Sequence, residues 1–195
     1  MPLSPEREGR LTGSMVGAAL GQNPYCSRQE AWRLLTKRKT FEGNEMTEWG
    51  NVHEVDALHK YECYTGDLVD YTLDDQKFYI DMKHDWMGCT PDGILGMKVI
   101  EFKCPWSLKI PESVPLHYMA QAQFNMMITN RPECDFLYWT PERSKMFNFK
   151  RSDEYLEQAL PILEEFWAYV KEDKEPKRKK KPVFPIIKTE VIFDE

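Results

Sequence analysis

The chain has 195 residues, 42% apolar and 30% charged, with a net charge of −6, a size that suits one domain with a substantial core and no more than that. No apolar run approaches the roughly 20 residues of a membrane span, and residues 1–10 lack the apolar stretch of a secretory signal. The five cysteines (Cys26, Cys63, Cys89, Cys104 and Cys134) are odd in number and no two are close in sequence, which argues against a disulfide framework, a zinc ribbon or an iron–sulfur cluster. A reducing cytoplasm is therefore the expected setting. Residues 1–40 carry seven basic and three acidic side chains, whereas residues 41–95 carry three and thirteen. A basic start suits phosphates and an acidic middle suits cations.

Residues 15–20 predict a small-residue helical turn that ends at Gly21-Gln22-Asn23-Pro24. Ser27 and Glu30 form a capping box, so a helix is expected through about Lys39 with Ala31, Leu34 and Leu35 inward. A second helix is expected from about Thr47 to Tyr64, with Trp49, Val52, Val55 and Leu58 as its apolar stripe and Gly66 as its stop. Strands follow at Lys77–Ile80, Trp86–Thr90 and Lys98–Cys104, the last ended by Pro105. A helix over Leu116–Thr129 leads to strands at Asp135–Trp139 and Lys145–Lys150, joined through residues 140–143. The last helix runs from Ser152 to about Lys171, with a kink expected at Pro161. The expected architecture is a single α/β domain over residues 1–173, a central mixed sheet flanked by helices. Residues 174–195 are expected as a basic linker and tail.

Chemistry concentrates in Val99-Ile100-Glu101-Phe102-Lys103. Side chains alternate along a strand, so Glu101 and Lys103 share one face with Val99, while Ile100 and Phe102 take the other. A Glu and a Lys are costly to bury in so apolar a strand, unless they form an ion pair or serve a reaction. Asp92, in Thr90-Pro91-Asp92-Gly93, follows the preceding strand. Gly93 is expected to turn the chain back so that the Asp92 and Glu101 carboxylates meet. Two adjacent carboxylates repel unless a cation lies between them, and Mg²⁺ takes such oxygen ligands. The Phe102 carbonyl can add another oxygen, and Lys103 can orient a nucleophile or offset developing negative charge.

Asp92-x8-Glu101-x-Lys103 resembles the signature of the PD-(D/E)xK nuclease superfamily. Ser14-Met15-x5-Gly21-Gln22-Asn23-Pro24-Tyr25, Trp49-Gly50-x3-Glu54, Thr90-Pro91-Asp92-Gly93, Glu101-Phe102-Lys103-Cys104-Pro105 and Tyr118-Met119-Ala120-Gln121-Ala122-Gln123 occur in that order. Together they resemble the lambda exonuclease and YqaJ-type viral recombinase family over about residues 7–170. Met15 stands where many members carry an acidic residue.

The resemblance implies a restriction-endonuclease-like core and two Mg²⁺ ions, for which Mn²⁺ can substitute. It implies metal ligation by Asp92, Glu101, the Phe102 carbonyl and the helix-borne Glu54, with Gln121 at the border of the active site. Arg7, Ser14 and Thr12 match the pocket for a terminal 5′-phosphate, where an arginine fork suits the anion. The implied activity is 5′→3′ degradation of linear double-stranded DNA to mononucleotides in phage-type recombination. A ring-shaped homotrimer and a single-strand annealing protein as partner are implied with it, and no membrane is involved. An endonuclease of the same superfamily is the alternative. A DNA-end-binding protein without catalysis is a third reading, disfavoured by the joint presence of Asp92, Glu101 and Lys103.

Overall fold

The computed structural model describes residues 6–71, 77–178 and 180–195. Strand β1 (Leu11–Thr12) runs directly into helix α1 (Gly13–Ala19), which ends at Gly21 in a left-handed conformation, φ +74°. Helix α2 (Arg28–Leu35) starts at the expected capping box of Ser27 and Glu30. It stops four residues early, because Lys37 adopts φ 58° and Arg38 turns back to pair with Asp173 and cover the Trp32 ring at 4.6 Å. Helix α3 (Glu45–Thr65) has a second box, Asn44 with Thr47, and Gly66 ends it at φ 76°. Helix α3 packs on the sheet through Trp49, Ala57, Leu58 and Tyr61, and His53 stacks on Trp139, whereas Val52 and Val55 are exposed. The expected apolar stripe therefore holds at Trp49 and Leu58 and fails at Val52 and Val55, which turn away from the sheet, Val55 towards a cavity.

Short strands β2 (Asp70–Tyr71), β3 (Tyr79–Ile80), β4 (Met87–Cys89) and β5 (Gly93–Leu95) precede the central strand β6 (Lys98–Lys103). The expected strand at Lys77–Ile80 thus shortens to its last two residues. The β5–β6 reversal occurs at Gly96-Met97, not at Gly93, and Gly96 takes φ 55° there, a left-handed conformation that favours glycine. Gly93 instead lies inside β5, where a Cβ would overlap the Val69 side chain. Helix α4 (Leu116–Ile128), strands β7 (Glu133–Trp139) and β8 (Ser144–Lys150), helix α5 (Asp153–Lys171) and strand β9 (Glu190–Asp194) complete the chain. Helix α5 is continuous through Pro161.

Six strands form the main sheet in the order β2-β5-β6-β7-β8-β9, and β1-β4-β3 form a smaller one. In the main sheet β6 and β7 are parallel, joined by the α4 crossover, and the other pairs are antiparallel. Residues 190–194, expected in a tail, are an edge strand of this sheet, because Val191 and Phe193 pair with β8 and Phe193 is buried against Met146. Strand alternation assigns the two faces. Val99, Phe136 and Phe149 pack under α4 with Ala122 and Met126, while Ile100, Phe102 and Leu137 pack under α3 with Tyr61. Helices α1, α2 and α5 enclose a third cluster around Trp32, Phe124 and Phe166. The C-terminal end of β6 thus emerges between α3 and α4, with the start of α1 nearby.

Candidate active site

On β6 the Glu101 side chain is fully buried, facing α4 as the alternation requires. Its carboxylate accepts hydrogen bonds from Lys103 Nζ at 3.3 Å, from Gln121 Nε2 at 2.9 Å and from Asn125 Nδ2. Gln121 and Asn125 are one helical turn apart on α4, so both reach one acceptor. Asn125 in turn packs against Gly13, where any Cβ would overlap its Oδ1. This contact ties the start of α1 to the group that holds Glu101.

Asp92 lies just before β5, opposite the end of β6. Its Oδ2 accepts the Phe102 N–H at 2.6 Å and lies 3.9 Å from Lys103 Nζ. Lys103 therefore stands between the two carboxylates, with the Tyr118 ring 5.3 Å from its ammonium. Across from them, Glu54 on α3 accepts a hydrogen bond from the Tyr71 hydroxyl at 2.9 Å.

The opening between these groups is a cavity of about 550 Å³. Glu54, Asp92, Gln121 and Asn125 line one part of it, and Arg7, Thr12 and Ser14 another. Thr12 and Ser14 hydroxyls are 3.2 Å apart. Parallel pairing of β1 with β4, Thr12 opposite Gly88, brings the N-terminal segment to the strand that leads to Asp92. All the side chains singled out in the sequence thus surround one cavity or touch its lining. Asn125, Tyr71 and Tyr118 had been given no role there. Asn125 was discoverable, since it lies four residues after Gln121 on the same helix. Gln123, quoted in the same motif, faces away and serves the structure by bonding the Lys150 carbonyl and the Ser152 amide.

Burial, and then repulsion from Asp92, push the Glu101 carboxyl up to about 8. The same two causes push Glu54 up to about 7. Burial raises Asp92 as well, against the opposing pull of Lys103 and the Phe102 amide. Burial alone would lower Lys103, but Asp92 and Glu101 outweigh it and hold the ammonium charged far above neutrality. An unfolded glutamate ionises near 4.5. Between that pH and about 8 the folded chain binds more protons than the unfolded one, so its stability falls as pH rises. In EDTA, the urea midpoint is therefore expected to drop between pH 5.5 and pH 8. An equal or higher midpoint at pH 8 would refute the buried carboxylate cluster.

Among the described residues, no three His, Cys, Asp or Glu side chains close into a ready-made metal cluster. The donor chemistry nonetheless fits a hard divalent cation, since Asp92, Glu101 and Glu54 offer oxygen only and three carboxylates stand against one lysine.

A family model for the YqaJ-like viral recombinase domain matches residues 4–132, about two thirds of the chain. The chain belongs to the YqaJ-like viral recombinase domain family. The match spans Arg7 through Asn125, and so every residue of the cavity described above. Solved structures agree on the fold of this YqaJ-like domain. An alkaline exonuclease (LHK-Exo) from Laribacter hongkongensis is similar with a TM-score of 0.71 and 23% identity, over 86% of this chain and 90% of that one. Its complex with dAMP gives a TM-score of 0.74 at 22% identity, with the same coverage. A phage-related exonuclease from Haemophilus somnus gives 0.66 at 15% identity, over 84% and 94% of the two chains. No curated protein matches the chain by sequence. No helix among the described residues is long and apolar enough to cross a membrane.

Proposed function

We propose that this YqaJ-like domain is a divalent-metal-dependent exonuclease that degrades linear double-stranded DNA 5′→3′ from 5′-phosphorylated ends to mononucleotides. The observation that carries this reading is the row of half-buried Asp92 and Lys103 with buried Glu101, beside the same cavity as Arg7, Thr12 and Ser14. The likeness to two exonucleases, one of them bound to dAMP, supports it. Residues 1–173 carry the activity, residues 174–195 follow as the C-terminal segment, and the setting is the cytoplasm. The working form is a ring-shaped homotrimer that acts in phage-type recombination beside a single-strand annealing protein.

Asp92, Glu101, the Phe102 carbonyl and Glu54 would hold two Mg²⁺ ions, or Mn²⁺ in their place. Bound there, the metal would supply Lewis-acid polarisation of the scissile phosphate and a more acidic water. The chain's own groups do the rest. Gln121 and Asn125 fix the Glu101 carboxylate from α4, so that it need not reorganise when substrate arrives. Lys103, held charged, faces the position where negative charge develops on the phosphate oxygens and offsets it. Arg7, with the Thr12 and Ser14 hydroxyls, binds the terminal 5′-phosphate and so sets the first phosphodiester bond against the carboxylate row. Such positioning is a large part of catalysis.

The test compares wild type with Arg7→Ala on phosphorylated linear, dephosphorylated linear and circular duplex, with Mg²⁺ present. Wild type is expected to degrade the 5′-phosphorylated ends at least tenfold faster than 5′-hydroxyl ends and to spare circles. Arg7→Ala is expected to remove most of that preference, since a charge-assisted contact is worth about 1.5–3 kcal/mol. Cleavage of the circle, or indifference of wild type to the end phosphate, would indicate an endonuclease instead.

A further inference from the structure

None of the described residues of the basic run at 177–181 lines the catalytic cavity. Three of its side chains, Arg178, Lys180 and Lys181, line a second cavity of about 460 Å³, together with Ser27, Arg28 and Glu165. Arg28 lies deepest, with its side chain 9% exposed. Its Nη2 donates to the Ile162 carbonyl and to Glu165, both at a long 3.4 Å. Its buried Nε has no hydrogen-bond partner among the described residues. A buried guanidinium N–H left without an acceptor costs free energy that an anionic ligand would recover. The lining of the cavity sets four cations against one carboxylate.

We propose that this cavity is a second anion site that grips the phosphodiester backbone of DNA. The choice of DNA rests on the nuclease reading, whereas the anion chemistry does not. Arg178, Lys180 and Lys181 are three separate exposed cations lining one cavity, an arrangement that suits a row of phosphates more than a single compact ion. Helix α1 joins the two sites. Its start lines the catalytic cavity, and Leu20 and Gly21 just beyond its end line this one. Seven helical residues span about 10 Å, roughly three phosphates along one strand. A strand whose end lies in the catalytic cavity can therefore pass over the basic segment, which would hold the duplex between cleavage steps.

The test replaces the exposed cations together, as Arg178→Ala, Lys180→Ala and Lys181→Ala, and leaves the buried Arg28 intact so that folding is preserved. The probe is a fluorescein-labelled 30-base-pair duplex with 5′-phosphates, titrated in EDTA at several salt concentrations. The triple variant is expected to bind at least tenfold more weakly at about 0.1 M salt. Its plot of log affinity against log salt should be shallower by about 2–3, one unit per lost phosphate contact. Cleavage of the p-nitrophenyl ester of thymidine 5′-monophosphate, too short to span both sites, should be equal in the two proteins. Equal affinity and equal salt slope would overturn the site while leaving the nuclease reading intact. Weaker binding by the variant, with neither protein cleaving any substrate, would uphold the site and remove the nuclease reading.

Discussion

Asp92→Ala and Glu101→Ala should each reduce cleavage of linear duplex to background while the protein still binds DNA. The two side chains are the carboxylates nearest Lys103, at 3.9 and 3.3 Å, and removing either takes away a proposed metal ligand. Mg²⁺ or Mn²⁺ should support cleavage. Ca²⁺ should support binding only, because its looser coordination of about 6–8 oxygens orders a nucleophile poorly. Removing Glu101 also removes the acceptor of Gln121, Asn125 and Lys103. A circular-dichroism spectrum and melt of each variant therefore accompany the nuclease assay. Full activity of either variant, or of wild type in excess EDTA, would refute the mechanism.

Lys103→Ala should slow cleavage by about 10²–10³, the usual cost of removing one preorganised donor to a developing charge. Lys103→Gln should recover little of this, since the ammonium charge is the working feature and glutamine carries none. The assay is best run at saturating Mg²⁺. Without metal, loss of Lys103 leaves Asp92 and Glu101 buried with less compensation, and the measured loss would mix stability with chemistry. Single-turnover rates on a 5′-phosphorylated duplex separate the two, because they follow the bound complex. Cleavage by Lys103→Ala within about threefold of wild type would make the lysine a structural counter-ion of the carboxylates.

Asp92, Glu101 and Lys103 were legible in the sequence because their relation is local. A strand places Glu101 and Lys103 on one face, and a short hairpin returns Asp92 to within reach. The hairpin turn itself was misplaced at Gly93, because the Pro-Asp-Gly signal is stronger than Gly96-Met97 and nothing local reveals that Val69 packs against Gly93. The capping box of α2 and the end of α3 at Gly66 were local too, and the structure has them.

What only the tertiary structure decided depends on contacts between distant segments. Periodicity marks an apolar stripe on α3, but which face is covered depends on how the helix is rotated on the sheet, and Val52 and Val55 fall outside the face that Trp49, Ala57 and Tyr61 present. The pairing of residues 190–194 with β8 closes a gap of about forty residues, and no local pattern separates an edge strand from a tail with the same apolar content. The cavity itself follows from pairing Thr12 with Gly88 and packing Gly13 on Asn125. By itself the sequence singled out the side chains proposed to carry the chemistry. The fold decided which of them share a cavity, because burial and mutual repulsion, which set the charge state of Glu54 and Glu101, exist only once α3, β6 and α4 have come together.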